Sequence, residues 1–154
     1  MTFATAPLLL TDPAASDRFG AALAALVMPG DVITLAGPLG AGKTSIARGL
    51  LAALGLVGEA PSPSFAIVQP YAPPDTRLPV LHVDLYRIDD PAEINELGLD
   101  ESVEEQLLIV EWPERAPPDY WPHALAISLS MAPDGGRRLT VEVPLPWRAR
   151  WSRI

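Results

Sequence analysis

Val32-Ile33-Thr34-Leu35-Ala36, then Gly37-Pro38-Leu39-Gly40-Ala41-Gly42, then Lys43 to Leu54 run on without a gap, and the fold is decided by how these three pieces are read. The first is short, apolar and β-branched, as a buried strand is. The second breaks the pattern with three glycines. The third places Ile46, Ala47, Leu50, Leu51 and Leu54 on one helical face and meets Gly55 at the position that ends a helix. Strand, glycine-rich turn and helix follow in that order. Gly37 to Thr44 also fits the spacing GxxxxGK[ST], in which backbone N–H groups close around phosphates, the lysine neutralises the terminal phosphate and the hydroxyl takes magnesium. At average composition such a match arises at roughly four in 10⁵ positions, which sets chance aside for one short chain. Lys43 is the only lysine beside ten arginines, so a compact point charge is kept where a phosphate suits it. There is no second lysine, and Asn95 is the lone asparagine, so a guanine-reading Asn-Lys-x-Asp motif is excluded and ATP is favoured over GTP.

Working outward, Thr11-Asp12-Pro13 before Phe19, Leu23, Leu26 and Val27 predicts a capped helix with proline in its first turn, stopped at Pro29-Gly30. Pro61 to Pro79 is a proline-rich connection with a strand expected over Phe65 to Val68. Val80 to Tyr86 alternates, with Leu81, Val83 and Leu85 on a buried face and His82, Asp84 and Tyr86 on a face left for chemistry or solvent. Short helices are expected over Pro91 to Leu97 and Asp100 to Gln106, and a fully buried strand over Leu107 to Val110. Leu125 to Leu129 and Leu139 to Val143 form an antiparallel pair around Asp134-Gly135-Gly136. The expectation is one α/β domain spanning 1–154, a three-layer P-loop NTPase fold. Its central sheet is mostly parallel with antiparallel edge strands, and a short basic tail covers about 147–154.

Composition narrows the function classes. Without cysteine there is no disulfide frame, thiol nucleophile or cysteine zinc site, and His82 and His123 alone cannot build a histidine-rich one. The longest apolar run, Ala21 to Met28, falls far short of the ~18 residues that span a bilayer, and no charged n-region opens a signal peptide, so no membrane role and a cytoplasmic location are expected. A net charge of −8 argues against free-standing nucleic-acid binding, because phosphate contacts supply most of that affinity.

A phosphate loop needs a second holder for magnesium and a group that places the attacking oxygen, and carboxylates at strand ends do both. Two candidates qualify. Glu111 ends the run Leu107-Leu108-Ile109-Val110, which delivers it to the carboxyl edge of a sheet, where ligands bind in open α/β folds. Asp84 lies on the polar face of its strand, which an exposed strand face would equally explain. His82 either assists Asp84 or is structural, and His123 reads as loop packing. Tyr86 and Arg87 either orient Asp84 or face a partner. Arg137-Arg138 and Arg148, Arg150 and Arg153 with Trp147 and Trp151 form the basic, aromatic cluster of an acidic chain. It reads either as a solvated tail or as a surface for RNA or an acidic partner.

Gly37 to Ser45, Ser62-Pro63-Ser64-Phe65, His82-Val83-Asp84-Leu85-Tyr86-Arg87, Glu96-Leu97-Gly98-Leu99 and Val110-Glu111-Trp112-Pro113-Glu114 occur in an order that resembles the bacterial TsaE (YjeE) family of small ATPases. The likeness covers about half the chain, and the Asp-Leu-Tyr-Arg and Glu-Trp-Pro motifs make it specific. It implies the Mg²⁺-dependent ATPase component of the machinery that makes threonylcarbamoyl-adenosine at position 37 of tRNA, in a complex with the TsaB and TsaD proteins that carries the tRNA. By the same likeness Thr44 and Glu111 are magnesium ligands, and Asp84 is catalytic with Lys43. The nucleotide contacts it implies are Pro38, Leu39, Gly40, Ala41, Gly42, Lys43, Thr44, Ser45, Ser64 and Trp112, with Ser62 to Phe65 a switch-like loop over the γ-phosphate. Ser64 replaces the family's usual threonine and keeps a hydroxyl, whereas Ala66 lacks the one often found there. Thr11 to Pro13 are the choice for adenine contacts. Other classes left open are a small-molecule kinase, for which the Pro61 to Pro79 segment offers only Arg77 as a lid arginine, and a nucleotide-gated interaction module.

Overall fold

The β-branched run Val32–Ala36 becomes β3, near the middle of the sheet, in a computed structural model that describes residues 2–38, 40–58, 68–99 and 103–152. Before it come β1 (Thr2–Ala4), β2 (Leu8–Leu10) and α1 (Pro13–Ala24). After it come α2 (Lys43–Ala53), β4 (Val68–Tyr71), β5 (Val80–Asp84), β6 (Leu107–Glu111), β7 (Leu125–Met131), β8 (Arg137–Pro144) and α3 (Arg148–Trp151). The sheet order is β1-β8-β7-β3-β6-β5-β4, with β2 also on β8. The four central strands β7, β3, β6 and β5 are mutually parallel, and β8 and β4 join them antiparallel at the two sides. The expected mixed α/β architecture is therefore present.

Parallel strands are covered on both faces, which is why Leu107 to Val110 shows no polar alternation. Leu107 and Ile109 join the cluster beneath α1 and α2, and Leu108 and Val110 join a second cluster with Val83, Leu85, Ile88 and Ile94. That second face is covered by 3₁₀ turns over Pro91–Leu97 and Pro113–Arg115 rather than by α-helices. Double coverage corrects the reading of β5, because the face carrying His82 is turned toward the α1 and α2 side and His82 is fully buried. Tyr86 lies beyond the strand and is exposed.

α1 starts as expected: Asp12 caps it by accepting a 2.8 Å bond from the Ala15 N–H, and Pro13 fills the first position. It ends at Ala24, earlier than Pro29-Gly30, since Leu26 and Val27 turn back on the Leu23 carbonyl and bury there without continuing the helix. Three short strands went unread. β1 and β2 have three residues each, too short for an alternation to register, and Pro70 inside β4 reads as a strand breaker until the strand lies at the sheet edge, where proline is tolerated. Of the strand expected over Phe65 to Val68 only Val68 is among the described residues, and of the helix expected over Asp100 to Gln106 the described part holds a 3₁₀ turn at Val103–Glu105.

Among the described C-terminal residues, which run to Ser152, several pack onto the fold. Trp147 is buried in the main cluster, Arg150 makes a two-pronged ion pair with Asp31 at 2.6 and 3.0 Å, and Trp151 meets Phe19 edge-on at 6.5 Å. Among the described residues no helix is long and apolar enough to cross a membrane.

Candidate functional site

β3 ends at the carboxyl edge of the parallel strands, and the chain turns there through Gly37 into the loop that starts α2. Gly37 has φ +146°, and a Cβ on it would stand 2.6 Å from the Leu129 carbonyl oxygen of β7, so only glycine lets the loop leave the sheet this closely. Gly42, at φ +104°, precedes α2 without a side-chain cap, and the first turn of α2 carries no acid. The leading N–H groups of an eleven-residue helix are thus left for an anion, with a positive dipole end behind them.

Lys43 opens α2 although its own charge opposes that dipole. Its Nζ donates to the Gly37 carbonyl at 2.5 Å and the Pro38 carbonyl at 2.9 Å, and lies 4.2 Å from the centre of the Trp112 ring. Burial pushes the Lys43 pKa below its ordinary value, while the charges of Glu111, Glu114 and Asp84 act against that shift. Trp112 follows β6 in a left-handed conformation, φ +61°, with its N–H on the Leu35 carbonyl at 3.2 Å, and stacks obliquely on Tyr86 at 4.9 Å. A bulky residue held at positive φ marks stored strain, here spent on laying an indole beside the loop.

The carboxylates arrive in register. Asp84 on β5 pairs with Glu111 on β6, both at the carboxyl edge. Glu111 is 2% exposed; its Oε1 accepts from the Thr44 hydroxyl at 2.9 Å and its Oε2 stands 2.7 Å from His82 Nε2. Asp84 Oδ1 accepts from the Tyr86 N–H at 2.9 Å. Its pKa is raised chiefly by burial and further by the Glu111 charge, with the Tyr86 bond, His82 and Lys43 opposing. Thr44 and Glu111 form an all-oxygen pair of the kind magnesium takes together with waters and phosphate oxygens. Among the described residues no group of three or more His, Cys, Asp or Glu side chains could hold a metal by itself, so any such ion there would depend on further ligands such as phosphate.

A cleft of about 570 Å³ joins these parts. Gly40, Gly42, Lys43, Thr44, Ser45, Asp84, Glu111 and Trp112 all line it, as do Thr11 to Pro13. Pro38 and Ala41 are outside the lining: the Pro38 carbonyl serves Lys43 and the Ala41 N–H, and Ala41 is fully buried. Leu39 and Ser64, with the rest of Ser62 to Phe65, lie outside the described residues. The far wall was not read from sequence. It is the β7–β8 turn, Gly135-Gly136-Arg137, with Arg137 Nη1 on the Gly135 carbonyl at 2.8 Å and its side chain about 4 Å from where a Cβ on Gly42 would stand. The signal was available, because β7 parallel to β3 must end at the same edge and bring its hairpin turn there. His123 is exposed and not part of this lining.

Similarity to known proteins extends over most of the chain. The family model "Threonylcarbamoyl adenosine biosynthesis protein TsaE" matches residues 10–139. A tRNA threonylcarbamoyladenosine biosynthesis protein TsaE of Bacillus subtilis (strain 168) is 40% identical over 118 residues, 76% of this chain and 72% of its own length. One of Treponema pallidum (strain Nichols) is 34% identical over 80% of this chain and 90% of its own. The crystal structure of YdiB from Bacillus subtilis superposes with a TM-score of 0.77 at 29% identity, covering 99% of this chain and 94% of that one.

Proposed function

The chain belongs to the TsaE family of threonylcarbamoyl adenosine biosynthesis proteins, and from that premise we propose that it is the Mg²⁺-dependent ATPase of tRNA threonylcarbamoyladenosine formation, working with the TsaB and TsaD proteins. The observation that carries this reading is the Thr44 hydroxyl 2.9 Å from the buried Glu111 carboxylate at the uncapped start of α2, beside the one lysine of the chain.

In this reading the N–H groups around Gly40, Gly42, Lys43 and Thr44 take the phosphate oxygens. Lys43 leaves the Gly37 and Pro38 carbonyls to meet the terminal phosphate, a stronger, charge-assisted partner. Thr44 and Glu111 would hold Mg²⁺, which when bound would supply neutralisation of the phosphate charge. Asp84, one strand over and in register with Glu111, orients the attacking water and takes up its proton, a role suited to a carboxyl whose pKa is raised. Trp112 and Ser45 close the cradle, and Leu39 and Ser64 are kept as nucleotide contacts on the family likeness alone. Hydrolysis needs little covalent chemistry beyond placement and charge neutralisation, and this site supplies both.

The test is ATP turnover by the chain alone and with the TsaB and TsaD proteins, with products screened for a phosphorylated small molecule. The expected result is release of ADP and inorganic phosphate, strengthened by the partners. A phosphorylated acceptor would make the protein a kinase, and unchanged ATP in both mixtures would leave it a binding module.

A further inference from the structure

His82 is a buried titratable group that hydrolysis as described above leaves without a task. Its side chain is 1% exposed, and its single polar partner among the described residues is Glu111, through Nε2 at 2.7 Å; Nδ1 is buried with no partner. With the proton assigned to Nε2, His82 donates to Oε2.

The backbone around Glu111 is already fixed on both strands beside it. The Leu85 N–H donates to the Glu111 carbonyl at 3.1 Å, and the Trp112 N–H donates to Leu35. Those bonds leave the side-chain torsions to be set by side-chain partners, the last of them being broad because it ends on an sp² carbon. The His82 bond to Oε2 and the Thr44 bond to Oε1 together restrict the carboxylate, with Oε1 facing Thr44 Oγ1. A partner placed behind a metal-binding carboxylate orients it and tunes its affinity.

We infer that His82 is a positioning residue for the metal pole of the site: by holding Glu111 Oε2 it aims Oε1 at the point where Thr44 and a divalent cation meet. This rests on the reading of Thr44 and Glu111 as metal ligands. Three residues from β5, β6 and α2 thus form one line, His82 to Glu111 to Thr44, and the metal affinity of the loop depends on a side chain that never touches the metal.

The experiment measures Mn²⁺ binding by electron paramagnetic resonance, with saturating ADP, for the parent, His82→Leu and His82→Gln; metal-free ADP affinity is measured in parallel. Gln carries an amide donor near the position of Nε2, whereas Leu carries none. His82→Leu should weaken Mn²⁺ roughly 10–100-fold while metal-free ADP binding stays within about threefold, and His82→Gln should restore most of the loss. Should the leucine variant fail to fold, His82→Asn replaces it, since its shorter amide cannot reach Glu111. Equal Mn²⁺ affinity in the parent and the donor-less variant, or a glutamine variant as weak as the donor-less one, overturns the assignment of His82 alone. A parent protein that binds no Mn²⁺ with ADP overturns the metal reading beneath it as well.

Discussion

Lys43 and Asp84 line the same cleft, and burial acts on them in opposite directions, lowering one pKa and raising the other. For Asp84 the consequence is a pH-dependent stability. Its folded pKa lies above the ordinary 3.8, so the folded protein holds the proton more tightly than the unfolded chain does. Stability is therefore lost as pH rises from about that ordinary value through the folded one, and the deficit persists at neutral pH. Asp84→Asn removes the charge at nearly constant shape. In the nucleotide-free protein it should raise the denaturation midpoint at pH 7, with the gain fading as the pH approaches 4. The same variant should bind ATP and fail to hydrolyse it. Thermal melts at the two pH values check the first half, where a variant less stable than the parent at pH 7 would contradict it; turnover assays check the second.

At the scale of elements, the site depends on how closely α1 lies against α2, because α1 brings Thr11 to Pro13 to the cleft and α2 begins it. Gly20 on α1 faces the backbone of α2, and a Cβ there would stand 2.7 Å from the Leu50 nitrogen. Gly20→Ala must push the helices apart, and we expect about 1–3 kcal/mol of lost stability, the usual cost of overpacking, measured by urea denaturation. A neutral effect would mean that the helices separate freely. This contact also shows where reading the chain runs out. β3, the loop, α2 and the Glu111 strand were legible because each follows from spacing within a dozen residues. The pairing of Gly20 with Leu50, the Arg137 wall and the burial of His82 were not, since each depends on which elements the sheet order makes neighbours. His82 illustrates it most sharply: alternation along β5 is real, but a parallel strand covered on both faces buries its polar residues too, and the bond to Glu111 that makes this affordable spans 29 residues.

For the whole molecule, a net charge of −8 sets the expectation for RNA. Arg150 is engaged by Asp31 and stacks on Trp147 at 4.1 Å, so part of the basic C-terminal cluster is consumed inside the fold. The isolated protein should bind tRNA weakly at physiological salt, with binding gained only when the TsaB and TsaD proteins are added. Tight, steeply salt-dependent binding of labelled tRNA by the chain alone would contradict that division of labour. Nucleotide binding should turn on Lys43 and the loop around it. Since Lys43 is already held by two loop carbonyls, chemical protection of its amine is a weaker probe than affinity. The decisive measurement is a calorimetric titration of Mg·ATP into the parent and into Lys43→Ala. One site should fill in the parent, and its affinity should fall roughly 10–150-fold in the variant, the range for losing a hydrogen bond to a charged group. Equal affinity in the two proteins, or no binding by the parent, would contradict the account.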